Sequence, residues 1–257
     1  MQNEFLLGGD LPIRRLGFGA MRLPTATWHG PPRDPETGRA VLRRAVELGV
    51  NHIDTAAYYR SNDGSVRANA LIREALHPYS PGLVIATKLG PTFGPKGARE
   101  APASELRAHV EENLETLGLD RLDLVYLRIS GWGEVAAGPI TKRFEALARL
   151  REEGLIRHLG ISNATAAHLA EARAIAPVAA LQNRADDESL LDICTEAGIA
   201  FVPFTPLGNE KVPARKGATA AQRAILWTLA RSPVTLAIPG TGSIAHLEEN
   251  MAALELA

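Results

Sequence analysis

The chain has 257 residues, 46% hydrophobic and 22% charged, with a formal net charge of −1. That composition excludes a disordered chain, a collagen-like repeat and a disulfide scaffold. Charges of both signs are interspersed along it, so it lacks the electrostatic footprint of a general nucleic-acid binder. The length suits one domain, residues 1–257, with a core that needs no staples. No window approaches 18 uninterrupted apolar residues, so neither a spanning helix nor a membrane partner is expected. Met1-Gln2-Asn3-Glu4 lacks the basic start of a signal peptide and Cys194 is the single cysteine. Both features point to a reducing, cytoplasmic setting.

In chain order, Phe5 to Ile13 reads as a small β-hairpin turning at Gly8-Gly9-Asp10, placed to plug one end of the fold. Eight short, near-continuously apolar runs follow: Leu16–Gly19, His52–Thr55, Leu83–Lys88, Leu122–Leu127, His158–Ser162, Val178–Gln182, Ile199–Phe204 and Thr235–Pro239. Runs of this kind are strands covered on both faces. Between them, alanine-rich stretches carry helical spacing at 39–48, 65–77, 103–117, 140–153, 165–176, 188–197, 219–230 and 244–254. Ser104 is the expected cap of the third helix, and Gly49, Gly118, Gly154 and Gly198 supply stops. Residues 24–38, rich in Pro, Gly and Thr, read as the longest loop. Eight strands each followed by a helix predict an α/β fold of the (β/α)8 TIM-barrel type, preceded by the hairpin. The rival is a doubly wound open sheet. It would want a glycine-rich turn after its first strand, and Gly17-Phe18-Gly19-Ala20 lacks the third glycine.

A barrel of this type builds its site at the C-terminal ends of its strands. Strand two ends in Asp54, with Tyr58 and Tyr59 just beyond, and strand three ends in Lys88. Strand four leads to Arg128, and the next three lead to Ser162-Asn163, Gln182-Asn183 and Phe204-Thr205-Pro206-Leu207-Gly208. The eighth leads to Gly240-Thr241-Gly242-Ser243, before a helix with His246, Glu249 and Asn250. An aspartate, a lysine and a tyrosine at one mouth form a chemical unit. An ammonium paired with the carboxylate would lower the phenol's pKa and make Tyr59 a proton donor near neutrality.

Together these residues carry a resemblance that covers Leu16 to Leu254. The motifs are Gly17-Phe18-Gly19-Ala20-Met21, Asn51-His52-Ile53-Asp54-Thr55-Ala56, Ala86-Thr87-Lys88, Gly154 through Asn163, Leu181-Gln182-Asn183, and Ile238-Pro239-Gly240 through Glu249-Asn250. The sequence resembles the aldo-keto reductases, and its Arg184–Glu188 and Pro203–Gly208 stretches are similar to the bacterial pyridoxal reductase-like branch. The resemblance implies reduction of aldehydes and ketones to alcohols with NADPH, NADH use being left open, by a monomer acting on a small carbonyl compound. Pyridoxal-like or other small aromatic aldehydes are the implied substrates, and no metal is expected.

By the same resemblance Asp54, Tyr59 and Lys88 match three catalytic positions, Tyr59 being selected over Tyr58 by its spacing of five from the aspartate. Ser162, Asn163, Gln182 and Phe204 fall at the nicotinamide end of the cofactor, and Ala20 and Met21 are further cofactor contacts. Thr205, Pro206, Leu207 and Gly208 fall along the pyrophosphate. Gly240, Thr241, Gly242, Ser243 and His246 match the 2′-phosphate loop, and Glu249 and Asn250 the adenine contacts. Trp28, Tyr58 and Trp132 are expected to line the substrate pocket.

Three departures stand out. Arg128 occupies the family's histidine position. A guanidinium cannot act as a general acid at neutral pH, but it can donate to an oxyanion and favours an anionic substrate. Gly240 and His246 stand where many relatives carry a lysine and an arginine. The segments after Asn183, after Gly208 and between Arg128 and Ile140 are short, which predicts an open rim and fast cofactor exchange. Two other functions remain open from the sequence: a nicotinamide-nucleotide-binding regulator with little turnover, and a barrel aldolase using Lys88 as a Schiff-base nucleophile.

Overall fold

The computed structural model describes residues 3–28, 30–94, 97–130, 138–204 and 212–256. Strands β1 (Glu4–Leu7) and β2 (Leu11–Arg14) pair antiparallel as the expected hairpin. The chain then alternates: β3 (Phe18–Gly19), α1 (Pro35–Glu47), β4 (His52–Asp54), α2 (Ala68–Leu76) and β5 (Val84–Leu89). A second hairpin follows, β6 (Pro91–Gly94) with β7 (Gly97–Glu100), antiparallel in register. After it come α3 (Leu106–Leu117), β8 (Leu122–Arg128), α4 (Thr141–Glu152), β9 (Ile156–Ser162), α5 (Ala166–Ile175) and β10 (Val178–Gln182). The described elements end with α6 (Glu188–Ala197), β11 (Ala200–Phe201), α7 (Ala220–Ala230) and α8 (Ile244–Met251).

Seven strands form one parallel sheet in the order β11-β10-β9-β8-β5-β4-β3. The eighth predicted strand, Thr235–Pro239, closes it by isolated parallel bridges, Phe201 to Thr235 on one side and Leu16 to Ala237 on the other. Its amides of Leu236 and Ala237 donate to the carbonyls of Phe201 and Arg15, each at 2.8 Å. The sheet is thereby a closed (β/α)8 barrel, which leaves no open edge among these strands.

Side chains alternate across the barrel wall, as the period of two demands. On β5, Val84 and Ala86 join the inner apolar cluster, while Ile85 and Leu89 join the outer cluster beneath the helices. On β8, Leu124 and Tyr126 point in, and Val125 and Leu127 point out. The β1–β2 hairpin puts Leu7, Leu11 and Ile13 into the inner cluster, so it plugs the bottom of the barrel. Asp10 at its tip accepts from Arg157 at 2.9 Å and faces His158 Nε2 at 2.6 Å, pinning the plug to the start of β9.

Three local expectations need correction. Helix α1 starts at Pro35 rather than 39. Asp34 caps it by accepting from the Thr37 amide at 2.9 Å, with proline in the first turn where its missing N–H is harmless. The loop predicted for 24–38 therefore ends earlier. Ser104 does not cap the third helix; Ala103–Glu105 forms a 3-10 turn without a side-chain cap, and α3 begins at Leu106. The segment after Lys88, assigned no element from the sequence, contains the β6–β7 hairpin.

Candidate functional site

The inward columns that are apolar below become polar at the C-terminal mouth. Continuing the alternation, Val84 and Ala86 lead to Lys88, Leu124 and Tyr126 to Arg128, and Ala180 to Gln182. Lys88 Nζ donates to Asp54 Oδ1 at 2.5 Å and to the Thr55 carbonyl at 3.0 Å. Gln182 Nε2 donates to the other carboxylate oxygen, Asp54 Oδ2, at 2.8 Å. Adjacent strands β4 and β5 are thus tied to β10, which lies farther round the sheet. Lys88 and Asp54 are only 2% and 3% exposed, so the pair survives burial because each charge meets its partner and further hydrogen bonds. A Schiff-base nucleophile must be a free amine. Lys88 is instead committed to an ion pair, which disfavours the aldolase alternative.

Tyr59 lies in the loop after β4, held by its own amide donating to the Ala56 carbonyl and by the Ala68 amide donating to its carbonyl, both at 2.9 Å. The Lys88 ammonium stands 4.9 Å from the centre of its ring. The expected lowering of the phenol's pKa is overturned. Burial, and then the Asp54 carboxylate, push Tyr59 well above the ordinary tyrosine range, and Arg128 offsets this only partly. Tyr59 is a firmly protonated phenol.

Arg128 Nη1 donates to Ser162 Oγ at 3.1 Å, across the β8–β9 register pair. Its guanidinium stacks 5.3 Å from the ring centre of Phe204. Asn163 adopts a left-handed backbone (φ 54°), while its Nδ2 donates to the Ile129 carbonyl at 2.9 Å. A non-glycine residue held there is sparsely populated and clusters with functional sites. Asp54, Lys88, Tyr59, Arg128, Ser162, Asn163 and Gln182 are all buried.

Tyr59 also joins an aromatic group. Trp28 meets Tyr58 and Tyr59 edge-on at 6.5 and 6.3 Å between ring centres. Phe93, on β6, stands 5.7 Å from Trp28 and 5.4 Å from Tyr58. Sequence reasoning missed Phe93. The signal was the sequence Gly94-Pro95-Lys96-Gly97 between two short runs, a pattern that predicts a hairpin. The Tyr58 hydroxyl is buried with no hydrogen-bond partner among the described residues.

At the end of the eighth segment, Ser243 caps α8, its Oγ accepting from the His246 amide at 3.4 Å, and Thr241 Oγ1 accepts from the Ser243 amide at 3.1 Å. Glu249 accepts from Thr219 at 2.6 Å, joining α8 to the start of α7, and Asn250 is buried. Ala20 and Met21 form the turn after β3. Trp132, Thr205, Pro206, Leu207 and Gly208 lie outside the described residues.

The model of the aldo/keto reductase family matches residues 15–216. The chain belongs to that family. It is therefore an oxidoreductase of the aldo-keto reductase type. It is 46% identical to pyridoxine 4-dehydrogenase of Escherichia coli strain K12, over 99% of this chain and 93% of that one. The aligned span of 275 residues exceeds the 257 of this chain, so that relative carries insertions lacking here. An uncharacterized oxidoreductase of Schizosaccharomyces pombe is 38% identical over 95% of this chain and 83% of its own. Among solved structures, a thermostable aldo-keto reductase in complex with the inhibitor epalrestat superposes with a TM-score of 0.80 at 26% identity, covering 100% of this chain and 95% of that one. An aldo-keto reductase from Klebsiella pneumoniae in complex with NADPH superposes at 0.78 and 23% identity, covering 99% and 90%, a likeness of fold.

Proposed function

We propose that this reductase converts small aromatic aldehydes to alcohols with NADPH, Tyr59 supplying the proton. The observation that carries the reading is the buried set at the barrel mouth, in which a protonated phenol sits beside the Lys88–Asp54 ion pair, near a cation from Arg128. The residues present suit a nicotinamide dinucleotide. Ser162, Asn163 and Gln182 offer amide and hydroxyl groups at strand ends, Phe204 offers a half-buried ring face, and Gly240–Ser243 leads into the N-terminus of α8. Such a helix start favours phosphate on charge grounds. Ala20 and Met21 would contact it from the turn after β3, and Glu249 and Asn250 would border its adenine. When bound, the nicotinamide supplies the hydride that reaches the carbonyl carbon.

The protein's own groups do the rest. Tyr59 gives its proton to the carbonyl oxygen, and the phenolate left behind is reprotonated from solvent. Arg128 stabilises charge developing on that oxygen and cannot itself be the acid. Lys88, held by Asp54 and Thr55, keeps a positive charge beside the ring, while Gln182 fixes the carboxylate. Because burial and Asp54 raise the phenol's pKa, proton donation persists through neutral and mildly alkaline pH. The reverse reaction, alcohol oxidation, needs the phenolate and therefore gains as pH rises.

The aromatic cluster of Trp28, Tyr58 and Phe93 would offer ring surface to a flat substrate, and Arg128 suits one bearing an ionised hydroxyl or carboxylate. The similarity to pyridoxine 4-dehydrogenase supports a pyridoxal-like compound. The test is NADPH consumption with matched aldehydes: pyridoxal, a neutral aromatic aldehyde and an aliphatic one. Preference for pyridoxal that falls severalfold or more in Phe93→Ala or Arg128→Met supports the assignment. Equal, low turnover of all three would favour a nucleotide-binding regulator instead.

A further inference from the structure

The turn Gly240-Thr241-Gly242-Ser243 carries no cationic side chain of its own, and its two hydroxyls already accept hydrogen bonds from backbone amides. A cation arrives from a distant part of the chain. Arg33, just ahead of α1, lays its guanidinium directly against Gly242. A Cβ on that glycine would stand 2.1 Å from Arg33 Nη1 and 2.8 Å from Cζ. Real atoms do not approach so closely, so Arg33 occupies space that any residue but glycine at 242 would claim.

Arg33 is held there. Its Nη1 donates to the Arg22 carbonyl at 3.0 Å, and its amide donates to the Pro24 carbonyl at 2.9 Å. Among the described residues no carboxylate lies within salt-bridge distance of it. Its neighbour Asp34 is spent on the Thr37 amide and hydroxyl at the start of α1. A guanidinium has five N–H donors in a fixed fork, so most of this one's donors remain for another acceptor. Half-buried and anchored, it matches a dianionic phosphate group, which a fork of parallel N–H bonds binds better than a lone ammonium does.

We propose that Arg33 is the residue that selects NADPH over NADH, by binding the ribose 2′-phosphate, and that Gly242 is the vacancy that admits it. The assignment rests on the function proposed above, in which the Gly240–Ser243 turn faces that phosphate. It accounts for a turn without a cation of its own: the charge comes from the segment just ahead of α1. His246, on the exposed side of α8, is not needed for it.

The test is calorimetric titration of the whole chain with NADPH, NADH, 2′,5′-ADP and 5′-AMP. In Arg33→Ala the affinity for NADPH and 2′,5′-ADP should fall roughly tenfold to a hundredfold, as loss of charge-assisted hydrogen bonds implies. Affinity for NADH and 5′-AMP should stay within about twofold. Arg33→Lys should recover part of the loss. Gly242→Ala should lower NADPH affinity in the wild-type background and add little in Arg33→Ala, because both changes act on one contact. Melting without ligand checks that each variant folds. Equal weakening of NADPH and NADH, or no change in either, overturns the assignment. A wild-type chain that binds neither dinucleotide overturns the underlying function as well, and is visible before any variant is made.

Discussion

The two ends of the barrel are built on the same strands and could hardly differ more. At the bottom, the inward positions Val84, Leu124 and Leu236 close on Leu7, Leu11 and Ile13 of the hairpin, a wholly apolar plug. At the mouth, the same alternation delivers Asp54, Lys88, Arg128, Ser162 and Gln182, all buried, with Lys88 and Gln182 bonded to Asp54 and Arg128 bonded to Ser162. One strand shows the contrast within two residues. His52 and Asp54 share a face of β4 and are both buried. Asp54 lies between the Lys88 ammonium and the Gln182 amide, each donating to one of its oxygens. His52 has no partner for either ring nitrogen among the described residues, and burial pushes its pKa down to about 4. A titratable group survives inside this barrel either paired and charged or alone and neutral.

That contrast can be broken from either end. The largest effect is expected at the mouth. Lys88→Met leaves the Asp54 carboxylate without its counter-charge and should destabilise the fold by about 3–5 kcal/mol in urea unfolding. Adding Asp54→Asn should restore part of the loss, because no lone charge is then left buried. At the plug, Ile13→Ala should cost about 3 kcal/mol by opening a cavity, while activity per folded molecule is unchanged. Equal damage to activity would mean that the two ends are not separable.

The unpaired histidine gives a pH signature. Its folded pKa lies near 4 against 6.5 when unfolded, so only the unfolded state takes up a proton between those values. Stability is complete above about pH 6.5 and falls by roughly 3 kcal/mol as pH drops to 4. His52→Leu should flatten this acid limb in urea titrations across that range. The smallest effect belongs to the exposed hairpin tip. Asp10→Asn, at an ion pair open to solvent, should shift stability by no more than about 1 kcal/mol and less still in high salt.

Much of this contrast is legible in the sequence, because period-two patterning follows directly from strand geometry. The apolar runs gave the strands, and the polar residues that end them gave Asp54, Lys88, Arg128, Ser162 and Gln182. What escaped depends on distance in space. Arg33 lies in a loop far along the chain from Gly242, and no local pattern links them. Tyr59's proton affinity turns on how deeply the loop after β4 sinks, so a nearby lysine suggested the wrong sign. Phe93 lies in a Pro- and Gly-rich stretch whose composition masks its strand. Helix α1 is a different case: Asp34-Pro35-Glu36 is a recognisable cap, outweighed in the reading by the loop-like composition before it.

On the proposed function, the mouth of the barrel is a proton-donating site centred on Tyr59. The most direct measurement is single-turnover oxidation of bound NADPH by pyridoxal in wild type and Tyr59→Phe, with NADPH affinity measured alongside. Equal affinity and a rate lowered by roughly 10²–10⁴ are expected in the variant. A wild type that binds NADPH yet turns over no faster than the variant would contradict it.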